Sequence, residues 1–410
     1  MKLSIQNRIF ALETNPKLGL ENTTKLLSLL KLEKNNIQQK VIQIVGTNGK
    51  GSTCAFLESI LMLNNLKVGV FSSPHLTSAR ERIRINQVNI SEEDFSKIGE
   101  QVLEQIECMS EKPSFFEALL AMAMLYFKDQ TDIIILEAGI GGRLDATTAC
   151  EADILGVASI GLDHLSILGN TLEKIALEKI AAARFLQPVI TVAQKKEVLD
   201  TIIKQKKLVR FDLSLANICA YSSSLPGEHQ YINAGLAKSL SHSLGYNVEE
   251  ELIKKAMLKA KWPARFEIFD YKNHTLIIDG AHNAHAIEVI SKHINTDRNL
   301  AHKNWQMVFA CLSGHDPYEM ALIFKNNHPN LRKIFLAKVQ NPRSLLFTDL
   351  KQAFVKAGFD ENILYEFIDL DTTLLNNSNE FTLVCGSLYL AGEIRKNIVP
   401  MDCDEKLSTY

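Results

Sequence analysis

Short runs of apolar residues, each followed by a helical pattern, recur along the chain and limit what it can fold into. Residues 41–45 (VIQIV), the run VGVFS, residues 132–136 (DIIIL) and residues 154–160 (ILGVASI) read as buried strands. STCAFLESILMLNN and FFEALLAMAMLYF read as helices among them. A strand with one wet face would alternate apolar and polar residues, so continuous apolar strands between helices predict a mostly parallel sheet covered on both faces. A second set starts near Leu276 with LIID, WQMVFA, KIFLA and FTLVC, and helical stretches follow Ala284, Pro317, Phe347 and Leu388. At 410 residues the chain exceeds one ordinary core. The expected architecture is α/β: a larger phosphate-loop domain over residues 1–268 and a smaller Rossmann-like α/β domain over 269–410. The junction is placed around residues 267–274, in KWPARFEIFDYKNH, where Trp, Pro and mixed charges interrupt the pattern.

Composition excludes some functions. A net charge of −2 and a pI of about 6.6 argue against a broad nucleic-acid surface, which needs a strongly basic face. The 7 cysteines are odd in number and form no C-x-x-C pair, which fits free thiols in a reducing cytosol. The opening MKLSIQNRIFALE lacks the continuous apolar core of a signal peptide. FFEALLAMAMLYF is too short to span a bilayer and contains Glu117. A cytoplasmic monomer is expected, with no membrane and no nucleic acid among its partners.

Ligands of open α/β sheets bind beyond the carboxyl ends of the strands, and there the chemistry-bearing residues cluster. After the first strand comes GTNGKGST, residues 46–53. Glycines let backbone N–H groups approach phosphate oxygens, the helix start supplies unpaired donors, and Lys50 adds a full charge. Ser52 or Thr53 can reach a metal. The plainer account is a tight strand–helix turn with Ser52 as N-cap. Ser73 follows the second strand as a hard-metal ligand or a turn before Pro74. Arg80, Arg82 and Arg84 bind an anion or line a solvated strand edge. Glu137 ends an apolar strand where nucleotide-bound Mg²⁺ finds a protein oxygen. Asp163-His164 follows a fourth strand.

The next helix holds an anomaly. Asn170 with Glu173 reads as its N-cap pair. Leu172, Ile175 and Ala176 set an apolar stripe whose next positions are Lys179 and Ala183. Lys179 either snorkels to solvent or is held desolvated, in which case its neutral amine can take up CO₂. In the second domain LIIDGAHNAHA ends a strand with Asp279, His282 and Asn283, and Arg265 sits at the junction.

In order, GTNGKGST, SSPHL, SFFEAL, EAGIGGRLDATT, IGLDHLSILGNTLEKIALEK, LPGEHQ, WPARFE, DGAHN, NPRS and GSLYL span nearly the whole chain. The set resembles the folylpolyglutamate synthase and dihydrofolate synthase family, a branch of the Mur ligases. The resemblance implies that Thr47, Asn48, Gly49, Lys50, Gly51 and Ser52 cradle ATP phosphates. Asn233, Arg265 and Asp279 would contact ATP, and Ser73, Glu137 and His164 would hold Mg²⁺. Lys179 matches a carbamylated lysine. Pro113, Ser114, Phe115 and Phe116, with Arg143, Leu144 and Asp145, match places touching the pterin-bearing substrate. His282 would help deprotonate the amine. ATP, two Mg²⁺ ions, a carbamylated Lys179 and optionally a monovalent cation are the cofactors implied. Departures are Ala284 where Pro is frequent and His315 where Lys is common.

The implied reaction is ATP-dependent ligation of L-glutamate to dihydropteroate, or to the γ-carboxylate of a folate, through an acyl phosphate. The nearest alternative is a Mur-type ligase of cell-wall precursors, against which SSPHL and SFFEAL speak. A nucleotide-binding regulator without ligase activity is a rival of another class.

Overall fold

The computed structural model describes residues 5–12, 19–246, 248–374 and 380–399. Cys403 and parts of the opening MKLSIQNRIFALE lie outside them. Two compact units result. The first takes residues up to Ser224 with Gln230–Lys261; the second takes Leu225–His229 and the chain from Trp262.

The first unit carries an eight-stranded sheet. Its strands are β1 (Lys40–Val45), β2 (Val68–Phe71), β3 (Ile83–Ile85), β4 (Val88–Asn89), β5 (Ile133–Glu137), β6 (Ile154–Val157), β7 (Pro188–Thr191) and β8 (Asp212–Leu215). The order is β4-β3-β2-β5-β1-β6-β7-β8, parallel from β2 to β8, with β3 and β4 added antiparallel. The apolar runs explain the layering, since every residue of β2, β5 and β6 is buried. Asn86 and Gln87 turn between β3 and β4 with φ of 51° and 64°, the primed geometry that matches strand twist.

One apolar core gathers around the helix Phe115–Phe127, in which Ala118 to Met124 are buried without a break. Ser114 and Glu117 close a capping box at its start. A second core joins β6, β7 and the helices Leu172–Ile180 and Lys196–Val209.

The second unit holds a six-stranded sheet of β9 (Glu267–Tyr271), β10 (His274–Ile278), β11 (Trp305–Phe309), β12 (Leu331–Leu336), β13 (Leu364–Glu366) and β14 (Phe381–Cys385). Its order is β13-β12-β11-β14-β10-β9, and only β9 is antiparallel. The helices after Ala284, Pro317, Phe347 and Leu388 start where expected. No helix among the described residues is long and apolar enough to cross a membrane.

Several local expectations change. The boundary at 268/269 would cut β9, which pairs with β10 throughout. The helix after the phosphate loop is Lys50–Leu63, and its N-cap is Gly49 at φ 88° rather than Ser52. Thr171 caps the helix Leu172–Ile180 by accepting from Lys174 N, in place of Asn170. Arg84 is not solvated: it is buried and pairs with buried Glu58 at 2.9 Å.

Candidate active site

Four neighbouring parallel strands, β2, β5, β1 and β6, point their carboxyl ends to one rim. Ser73 follows β2, Glu137 ends β5, the phosphate loop follows β1, and Asp163-His164 follow β6. Only the parallel order places residues so distant in sequence side by side.

The phosphate loop is stitched to its neighbour. Thr47 N and Asn48 N both donate to Ser159 O, at 2.8 and 3.2 Å. The Thr47 hydroxyl donates to Gly161 O and accepts from Gly161 N, both at 3.0 Å. The amides of Thr47 and Asn48 thus serve the loop's shape, and the helix donors that precede the first intrahelical bond, Thr53 N to Gly49 O at 2.9 Å, are those of Lys50, Gly51 and Ser52. Gly46 permits this approach: a Cβ there would come within 2.8 Å of the Ala158 Cβ. Gly49 fits against Asn233, whose Oδ1 would lie 2.2 Å from an added Cβ. Asn233 in turn donates to buried Gln230 at 2.9 Å.

Two lysines converge on one carbonyl. Lys50 Nζ donates to Gly46 O and Thr47 O, each at 3.1 Å. Lys179 Nζ donates to the same Gly46 O at 2.8 Å. Lys179 is 3% exposed, so it does not snorkel. Burial first, then the charge of Lys50, bring its pKa down to about 7, against the opposing pull of Asp163 and Asp145. At neutral pH this amine is partly unprotonated. Gly142 packs against the same helix, where a Cβ would meet Lys179 O at 2.5 Å.

Glu137 is buried and accepts from Ser73 N at 3.1 Å, which joins the ends of β5 and β2. His164 begins a short helix at φ 49°, its N–H donating to the Asp163 carboxylate at 2.8 Å. No group of three or more His, Cys, Asp or Glu suited to a metal occurs among the described residues. A single buried carboxylate beside Ser73 still suits Mg²⁺, which keeps waters and binds through one or two carboxylates plus phosphate oxygens.

The stretch Pro113–Phe116 and the loop after β5 meet. Phe116 lies 5.3 Å from the Phe71 ring and 3.1 Å from where a Gly139 Cβ would be. Phe115 stacks on Phe10 at 4.7 Å, with the Arg82 guanidinium over its ring at 5.2 Å. His75 stands edge-on to Phe115 at 6.4 Å and accepts from Arg82 Nε at Nδ1, 2.8 Å away. Burial, then Arg82, hold the His75 pKa down at about 3, so its proton sits on Nε2. Asp145 accepts from the backbone of Gly139, Ile140 and Thr147 and from the Thr147 hydroxyl. Its carboxylate therefore shapes the loop. Arg143 is exposed and forks onto Glu178 at 3.0–3.2 Å, and Leu144 is half-buried beside it.

The remaining expected residues lie in the second unit. Asp279 follows β10 and accepts from Phe266 N and Ala281 N, both at 2.7 Å. Burial raises its pKa, against Arg265 and those two N–H groups. His282 contacts Gly280 O through Nδ1 at 2.7 Å and meets His315 edge-to-face at 5.2 Å. Sequence reasoning missed Ser159, which acts through a carbonyl and so carries no side-chain signal. It also missed the pairing of Arg82 with His75, although SSPHL drew attention to that segment.

A family model described as "Dihydrofolate synthetase, C-terminal domain" matches residues 264–340. The dihydrofolate synthase/folylpolyglutamate synthase of Bacillus subtilis is 30% identical, over 93% of this chain and 95% of that protein. The dihydrofolate synthetase of Saccharomyces cerevisiae is 29% identical, over 92% and 97%. The E. coli FolC structure in complex with DHPP and ADP superposes with a TM-score of 0.84 at 26% identity, covering 97% of this chain and 98% of that one. With a rim that gathers a phosphate loop, a strand-end carboxylate and a desolvated lysine, the chain belongs to the dihydrofolate synthase/folylpolyglutamate synthase family of ATP-dependent ligases.

Proposed function

We propose that this chain joins L-glutamate to dihydropteroate, and to the γ-carboxylate of reduced folates, with ATP. A carboxylate oxygen attacks the γ-phosphorus, the bond to ADP breaks, and an acyl phosphate forms. The glutamate amine attacks the acyl carbon, loses a proton and expels phosphate. The relatives' names favour folate ligation over the Mur-type alternative. The observation that carries the reading is the meeting of Lys50 and Lys179 at the Gly46 carbonyl.

Each residue has a stated part. Lys50 and the first-turn amides of Gly51 and Ser52 hold the phosphates and meet the charge that develops in phosphoryl transfer. Asn233 backs Gly49, and Arg265 and Asp279 are the further proposed nucleotide contacts. Ser73, Glu137 and His164 would hold Mg²⁺, which when bound screens the triphosphate charge. Lys179, partly neutral near pH 7, has the amine that carbamylation by CO₂ requires; that carbamate and a monovalent cation complete the proposed cofactor set. Phe116, with the Phe10–Phe115 stack beside it, supplies the aromatic surface proposed for a flat heterocycle. His282, whose Nδ1 contacts Gly280 O, is the proposed acceptor of the amine proton. The chain is proposed to work as a cytoplasmic monomer.

The test is ADP release with ATP, Mg²⁺ and L-glutamate, comparing dihydropteroate with tetrahydrofolate. Glutamate-dependent release with either acceptor is expected. Release indifferent to both glutamate and pterin acceptor would overturn the reading.

A further inference from the structure

Arg265 is carried on an unusual turn. Its two neighbours, Ala264 and Phe266, both have positive φ, at 54° and 51°. Left-handed backbone costs an ordinary L-residue about 1–2 kcal/mol, so two such residues flanking one side chain persist only where surroundings hold them. Ala264 N donates to Glu267 Oε2 at 3.0 Å, and Ala264 O accepts from Gly280 N at 2.9 Å. Phe266 N donates to Asp279 Oδ2 at 2.7 Å. Glu267 is itself held by Arg395 of the helix Leu388–Lys396, through Nε at 3.0 Å and Nη2 at 3.3 Å. The Arg395 side chain is only 4% exposed. Gly280 leaves room for the guanidinium, since a Cβ there would lie 2.9 Å from Arg265 Nη1.

We infer that Glu267 and Arg395 are positioning residues for Arg265: their ion pair locks the strained turn that fixes the direction of its guanidinium, whose Nη1 donates to Ala264 O at 3.2 Å. This rests on the proposed reading of Arg265 as a nucleotide contact. Asp279 holds the far side of the turn, so the two carboxylates grip its two left-handed residues. An Arg–carboxylate fork, here half-buried, is directional as well as charged, which suits an element that must be held in one geometry. Glu267 needs no contact with substrate to act this way.

The experiment is a double-mutant cycle of Glu267→Gln with Arg265→Ala, read as the KM for MgATP. Arg395→Lys is a second, charge-preserving probe, and thermal unfolding verifies that each variant is folded. Loss of a charged hydrogen bond predicts that Glu267→Gln raises the KM about tenfold while the KM for glutamate stays put. On the Arg265→Ala background the same change should add little, because its effect passes through Arg265. Arg395→Lys should raise the KM by less, in the same direction. An equal rise on both backgrounds, or no rise in folded Glu267→Gln, overturns the proposal alone. An unchanged KM in Arg265→Ala overturns the nucleotide role of Arg265 and the proposal with it.

Discussion

The phosphate loop of the first unit and the Arg265 turn of the second solve opposite problems with unusual backbone. The loop bends at Gly46 and Gly49, with φ of 152° and 88°. Glycine suits it because the backbone itself must approach a ligand, and a Cβ at either position would strike Ala158 or Asn233. The turn bends at Ala264 and Phe266, which have side chains, and both are buried. There the proposed working group is the Arg265 side chain, and Glu267 and Asp279 hold the backbone from outside. Glycine serves where main-chain donors face the ligand; side-chain locks serve where a side chain does.

Four changes would break or sharpen that contrast. Lys50→Ala removes the charge the loop exists to present, and kcat/KM for MgATP should fall by about 10³. Steady-state ADP release measures it, and a fall below tenfold would refute the assignment. Gly49→Ala sets a Cβ against Asn233 and strains φ, which together should cost about 2–3 kcal/mol of nucleotide affinity or stability. Calorimetric titration with ADP and thermal unfolding would separate the two.

The third prediction concerns Lys179, a buried lysine whose hydrogen bond goes to a carbonyl, whereas Arg395 at the Arg265 turn is paired with a carboxylate. Its folded pKa of about 7 lies below its unfolded value near 10.4. Between these values the unfolded chain keeps a proton that the folded one has released. Stability should therefore rise with pH there, by up to about 1.4 kcal/mol per pH unit, and lose that slope below pH 7. Denaturant midpoints at pH 7.5 and 9 would show it, and Lys179→Met should flatten the difference. Added bicarbonate should keep that slope and extend it below pH 7 if the amine is carbamylated, because the carbamate has also given up the ammonium proton. The smallest effect is expected of Ala264→Gly: relief of the left-handed strain is offset by glycine's backbone entropy, leaving a change within about 1 kcal/mol. A larger loss would mean that the Ala264 methyl packs in a way the backbone argument ignores.

Much of this was legible in the residues. Strands such as β5 and β14 announce themselves because burial on both faces demands an unbroken apolar run. Lys179 was visible as a charge on an apolar helix stripe. β7 and β8 escaped notice, since β7 begins at a proline, which weakens a strand reading, and β8 is mostly exposed. Arg84 read as a solvated edge residue because Glu58, its buried partner, lies a helix away on Lys50–Leu63. The part of Asp145 in holding its own loop was not legible, because its backbone partners carry no side-chain signal.

By itself, the sequence determined the two α/β sheets, the strand-end position of each polar group and the glycines of the phosphate loop. These follow from local chemistry: period, burial and backbone freedom act over a few residues. The tertiary structure alone decided that Lys50 and Lys179 share the Gly46 carbonyl, that Ser159 takes the amides of Thr47 and Asn48, and that Arg395 grips Glu267. Such pairings join positions separated by many residues, and their geometry exists only once packing brings the elements together.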